Sequence, residues 1–167
     1  RLPQSLFAAF LVTGDESFKE IARASLKFIT GCNFDAGSGY YDFIGQDGWH
    51  SKIGKKANYD QQPLEAAGAV DANMFAYFTS GNPTYLDEAN LAFEWFFGNN
   101  RNHRPIYDIN SKGVSDGLTP RGKNVNQGAE SIVCFLISSL ALKEEKQIPK
   151  KRSEDKNLSS VQTEFNS

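Results

Sequence analysis

One stretch of this chain occurs twice. LFAAFLVTGDESFKEIARASLKFITGCN resembles MFAYFTSGNPTYLDEANLAFEWFFGNN, about 67 residues further on. Gly14 aligns with Gly81, Asp15 with Asn82, Phe18 with Tyr85, Ala22 with Ala89, Phe28 with Trp95, Gly31 with Gly98 and Asn33 with Asn100. A period of this length with apolar residues at helical spacing is the mark of a helical repeat, in which each unit covers the apolar face of the next. It predicts pairs of helices joined by tight turns at Gly14 and Gly81, with long loops at the opposite end.

The helices follow from caps and periodicity. A short helix over residues 2–12 turns Leu6, Phe7, Phe10 and Leu11 inward. Asp15 caps a second helix, whose apolar face is Phe18, Ile21, Ala22, Ser25, Leu26 and Ile29 and which Gly31 stops. The third begins near Asp60 as cap, with Pro63 in its first turn and Leu64, Ala67, Asp71, Met74, Phe75 and Phe78 along one stripe. The fourth has Asn82 as cap, Pro83 at the first helical position and Gly98 past its end; Tyr85, Leu86, Ala89, Phe93, Phe96 and Phe97 form its stripe. A final helix over residues 126–143 turns Ala129, Ile132, Val133, Leu136, Ile137 and Leu140 inward. Between them lie two long loops, 33–59 and 99–125, rich in Gly, Asp, Asn and aromatics, the first with a short hairpin at 40–44. Loops this long in a compact domain are often functional. The polar, aperiodic run from 144 to 167 reads as a disordered tail, leaving 1–143 as the folded domain. The tail holds a basic triplet at 150–152 and a glycosylation sequon at Asn157.

Charge and composition narrow the function. A net charge of −2 argues against non-specific binding to nucleic acid or anionic membrane. No run approaches the roughly 20 apolar residues of a membrane span. The chain opens at Arg1 directly in a helical pattern, the mark of a piece of a longer protein, so any export signal is not legible; the expected location is the cytoplasm. Cys32 and Cys134 lack metal or redox spacing, and Cys134 reads as a buried free thiol. His50 and His103 have no metal spacing. No cofactor is indicated.

Two polar constellations stand at the predicted helix starts. The first is Gly48-Trp49-His50 followed by Asp60-Gln61-Gln62-Pro63-Leu64-Glu65. Asp60 and Glu65 are candidates for a general acid/base pair, and Trp49 for stacking on the C–H face of a sugar ring. Amides such as Gln61 offer donors and acceptors to hydroxyls. The alternatives are that Asp60 only caps its helix and that Trp49 packs inward. The second constellation is Ser115-Asp116-Gly117-Leu118 with Asn124-Val125-Asn126-Gln127-Gly128-Ala129-Glu130. Asn126 is a candidate cap, and Glu130 sits where the helix dipole favours negative charge. Gly117 to Lys123 has the glycine and lysine spacing of a phosphate loop, but Asn124 stands where Ser or Thr is needed and no buried strand precedes it. Asp71, on an apolar stripe, needs a hydrogen-bonding partner, and capping a neighbouring helix is the expected role.

DQQPLEA, AFEWFFGNN, SDGL and NQGAES, in that order, resemble a family of (α/α)6 toroid proteins in the six-hairpin glycosidase-like group, found alone or beside glycosyltransferase domains. The likeness runs over residues 2–142; Ile132 stands where that family often has Thr. It implies an all-α fold of helical hairpins forming the incomplete, C-terminal part of an α/α toroid, because six hairpins need roughly 300 residues. It implies a carbohydrate-active domain, with a carbohydrate ligand as partner and a glycosyltransferase domain or protein as a further candidate. An enzyme is the leading expectation, with Asp60, Glu65 and Glu130 as catalytic candidates. Trp49, His50, Gln61, Trp95, Asp116, Asn124, Asn126 and Gln127 are the candidates for substrate binding. A non-catalytic module that binds sugar or scaffolds a glycosyltransferase is the alternative, and a plain helical-repeat interaction protein the third.

Overall fold

A computed structural model of the chain describes residues 1–147. The basic triplet, the sequon and the expected tail beyond 147 lie outside the described residues. The fold is mainly helical: α1 (Leu2–Thr13), α2 (Glu16–Asn33), α3 (Pro63–Ser80), α4 (Pro83–Glu94) with a 3-10 turn at Trp95–Phe97, and α5 (Ala129–Gln147). Two small antiparallel pairs stiffen the loops. β1 (Phe34–Asp35) pairs with β2 (Tyr40–Tyr41), and β3 (Leu118–Thr119) with β4 (Gly122–Lys123). The first hairpin thus opens directly at the end of α2, earlier than the expected 40–44.

The two tight turns are copies of one another. Gly14 and Gly81 adopt left-handed conformations at φ 71° and 67°, which glycine enters without a Cβ penalty. Their N–H groups reach back to Phe10 and Tyr77 carbonyls at 2.8 and 2.7 Å. Asp15 and Asn82 then cap the next helix, accepting from the backbone N–H of Ser17 and Thr84 at 2.9 and 3.0 Å. Even the hydroxyls match: Thr13 and Ser80 each accept from the following cap residue's N–H at 3.2 Å.

Helix α3 is the centre of the molecule. It packs against α1 on one side and α5 on the other, while α2 pairs with α1 and α4 with α3. Accordingly α3 is buried almost all round, through Ala66, Ala67, Val70, Ala72, Met74 and Ala76. Its small side chains let three neighbours approach closely. The larger core cluster joins α3 and α4 to the loops through Tyr41, Phe43, Trp95, Phe96, Ile106 and Leu118. A smaller one joins α1, α2 and α3 through Phe7, Ala22, Leu26 and Ala76.

Several helix boundaries and faces differ from the sequence reading. Helix α2 runs through Gly31 to Asn33, because the Asn33 amide donates to the Ile29 carbonyl at 3.0 Å and accepts from the Ile44 N–H at 3.1 Å, tying the last turn to the loop. Helix α3 begins at Pro63, capped at Gln62 rather than Asp60; Glu65 reaches back to the Gln62 N–H at 3.0 Å. Helix α5 starts at Ala129 rather than Asn126 and continues to Gln147, past the expected end of the domain at 143. Its orientation is the main correction. Val133, Leu136, Ile137 and Leu140 are exposed, while Ser131, Cys134, Ser138 and Leu142 are buried. The helix is apolar nearly all round, so periodicity could not choose a face. The small face won, and Ser138 satisfies its hydroxyl on the Cys134 carbonyl at 2.8 Å. Leu11, Ile21, Leu64 and Phe78 are likewise exposed, against the inward expectation.

Candidate functional site

Tight turns at one end leave both long loops at the other, and there they lock together. Gln61 bridges to Leu118, whose N–H donates to the Gln61 carbonyl at 2.9 Å. Gly117 permits this approach, since a Cβ there would lie 2.5 Å from the Gln61 carbonyl oxygen and 2.9 Å from an Asp60 carboxylate oxygen. The Asn102 amide donates to the Thr119 and Gly122 carbonyls at 2.9 and 2.8 Å.

Beneath the loops lies an ion cluster that sequence reading did not single out. Asp42, only 3% exposed, accepts from Arg101 through both oxygens at 2.8 and 2.6 Å, from Lys56 at 2.9 Å and from Gln61 at 2.7 Å. Burial alone would raise its carboxyl, but Arg101 and Lys56 hold it below the ordinary value. The Gln61 carbonyl oxygen of the side chain in turn accepts from the Trp95 indole at 3.1 Å. Gln61 and Trp95 are therefore wholly buried and satisfied by the protein. Both were expected at a binding surface; they lie inside the fold, where their bonds tie the loop before α3 to the end of α4. The partners stand 14 to 59 residues from Asp42 in sequence, which left no local signal for the cluster.

The three candidate carboxylates fare differently. Glu65 is pushed up to about 7, first by burial and then by the negative charges of Asp60 and Glu130. The candidates from two separate motifs thus share one electrostatic environment. A cleft of about 260 Å3 runs between the starts of α3 and α5, walled by Gln62, Pro63, Leu64, Asp116 and residues 128–131. Glu130 is exposed on its wall. Buried Cys134, one turn further along α5, is raised by burial and by Glu130.

Asp116 organises the start of α5 from a distance. It accepts from the Ser131 hydroxyl at 2.6 Å, from the Gly128 N–H at 2.7 Å and from the Asn126 amide, and these bonds hold it below the usual carboxylate range. Capping expected of Asn126 therefore falls to Asp116. Gly128 keeps the clasp open, since a Cβ there would meet the Asp116 carboxylate at 3.0 Å. Asn124 accepts from the Asn126 N–H at 3.0 Å, holding the turn before the helix. Gln127 folds over Gly113 and accepts from the Ser111 hydroxyl at 3.3 Å, so its side chain braces the second loop.

Trp49 and His50 are exposed at the tip of the first loop and wall neither this cleft nor the cavity beside Glu65. Trp49, 66% exposed, holds a left-handed backbone at φ 56°, an uncommon state for a bulky residue. Asp71 finds its partner in the guanidinium of Arg1, the residue at the start of α1, at 2.7 Å. The glycine-lysine run at 117–123 is the β3–β4 hairpin, and residues 124–128 separate it from α5, so it lacks the strand-to-helix turn of a phosphate loop. Among the described residues no helix is long and apolar enough to cross a membrane, and no group of three or more His, Cys, Asp or Glu could hold a metal. Compared with known proteins, the chain matches no family profile and no curated sequence.

Proposed function

We propose that this chain is a carbohydrate-active domain whose working surface is the loop end between the starts of α3 and α5. The observation that carries the reading is the cleft between the starts of α3 and α5, with Glu130 on its wall and Glu65, next to the wall residue Leu64, held near neutrality by burial and by the charges of Asp60 and Glu130. A carboxyl group half-protonated at neutral pH beside an ionised one is the requirement for general acid catalysis at a glycosidic oxygen. Glu65 serves as the proton donor and Glu130, on the cleft wall, as its carboxyl partner. Exposed Trp49 supports the sugar reading, because an aromatic face displayed to solvent suits the C–H face of a pyranose.

The toroid belongs to the same proposal. A central α3 flanked by α1 and α5, with α2 and α4 paired to the first two, is the arrangement that successive hairpins of an α/α toroid would give. The resemblance of the four sequence motifs to six-hairpin glycosidase-like proteins is the other support for it. A sugar-binding or glycosyltransferase-scaffolding module is the second reading, favoured by the walls of the polar cleft, which include Glu130 but neither Asp60 nor Glu65.

The test is a glycan array and a turnover assay on the chain beside an Asp60→Asn, Glu65→Gln double variant. Binding by both with turnover in the unsubstituted chain alone supports the enzyme. Binding by both without turnover moves the assignment to the binding module. Binding by neither, with the fold intact by circular dichroism, overturns the carbohydrate reading.

A further inference from the structure

On the other side of the α3 start from the polar cleft is a cavity of about 280 Å3. Its lining is mainly apolar: Leu26 and Ile29 of α2, Tyr41 of β2 and Phe43 beyond it, Leu64 and Ala69 of α3. Four of the polar side chains that border it bond to other protein groups. Asn33 bonds to the Ile29 carbonyl and the Ile44 N–H, Asn73 to the Ala69 carbonyl at 3.0 Å, the Tyr41 hydroxyl to Glu88 at 2.7 Å, and Arg1 to Asp71. The space therefore offers sugar hydroxyls few free partners and suits an apolar group. An apolar cavity of about 150 Å3 already accepts benzene, so this one has room for a substituted ring.

Its position gives the apolar space a purpose. Leu64 lines both this cavity and the polar cleft, and Glu65 borders the cavity. One molecule with an apolar half and a polar half can lie across Leu64, with its junction beside Glu65. We propose that the cavity is a subsite for an aromatic or short alkyl aglycone, attached to a sugar that occupies the polar cleft. The aglycone role rests on the carbohydrate reading above; the affinity of the cavity for an apolar ring does not.

The experiment is a 1H–15N titration of the intact chain with p-cresol, then with a panel of methyl glycosides and their phenyl counterparts. Two variants accompany it: Ala69→Phe, which fills the cavity, and Ile29→Trp, which narrows its partly exposed rim should the first fail to fold. The expected result is that p-cresol shifts the amides of Leu26, Ile29 and Ala69, and that either folded variant abolishes this. Phenyl glycosides should bind roughly tenfold more tightly than methyl glycosides, the gain from burying one ring, and lose that gain in the variants. Absence of p-cresol shifts, or shifts that persist in the variants, overturns the ring site. Phenyl glycosides binding no more tightly than methyl ones overturns the aglycone role. Shifts with p-cresol and none with any glycoside overturn the carbohydrate reading and the aglycone role together, and leave the ring site standing.

Discussion

Glu65 is where burial, helix capping and charge repulsion meet. Its carboxylate accepts from the Gln62 N–H, which favours the charged form, yet burial and the charges of Asp60 and Glu130 prevail. The folded value, about 7, lies above the ordinary 4.5, so the folded state binds more protons than the unfolded state between those limits. Stability from this group is fully present below pH 4.5 and is lost as pH rises towards 7. At pH 8 the site costs at most about 3 kcal/mol. Glu65→Gln keeps an acceptor for the cap and removes the charge. It is expected to stabilise the fold by about 1–3 kcal/mol at pH 8 and to change it little at pH 4, as read by urea denaturation. Asp42 is the opposite case, a buried carboxylate with two cationic partners. Asp42→Ala strands Arg101 and Lys56 and should cost about 3–5 kcal/mol in the same assay. Glu65 stands out in sequence because it sits beside a proline at a helix start. Asp42 sits in an aromatic run, with Lys56 and Arg101 each in a different part of the loops, and only the folded chain brings them together.

At the scale of elements, what was legible was what is local. The turns at Gly14 and Gly81 and the caps Asp15 and Asn82 depend on adjacent residues, and the repeat announced them twice. Boundaries set by distant contacts were not legible. Gly31 aligns with the helix-ending Gly98, yet α2 continues through it because Asn33 anchors the turn beyond, and Phe28 stays 72% exposed where its counterpart Trp95 is buried. A methyl group at Gly31 would meet nothing within 4 Å. Gly31→Ala is therefore expected to stabilise the protein by about 0.5–1 kcal/mol, by removing glycine from a helix interior. Gly81→Ala is expected to destabilise it by about 1–2 kcal/mol, because its left-handed conformation penalises a Cβ. Thermal melts of the two variants should move in opposite directions.

The whole molecule places α3 between two flanks, and both flanks display large apolar side chains: Leu11, Ile21 and Phe28 on α1 and α2, and Val133, Leu136 and Leu140 on α5. The α5 flank was misread because a helix apolar all round carries no periodic signal, and close packing chose its small side. Leu136→Lys with Leu140→Lys should leave stability within about 1 kcal/mol, since exposed positions contribute little. The same pair should reduce concentration-dependent association in sedimentation; a large loss of stability would mean that this face packs inside the fold. The packing of the helices sets the start of α3, with Asp60 and Glu65, beside the start of α5, with Glu130. The most direct measurement of that convergence is the titration of the Glu65 carboxyl carbon by 13C NMR, in the unsubstituted chain and in Asp60→Asn and Glu130→Gln. A midpoint near 7 that falls in each variant is the expected result. An ordinary carboxylate midpoint, unmoved by either substitution, would contradict a shared site at this end of the molecule.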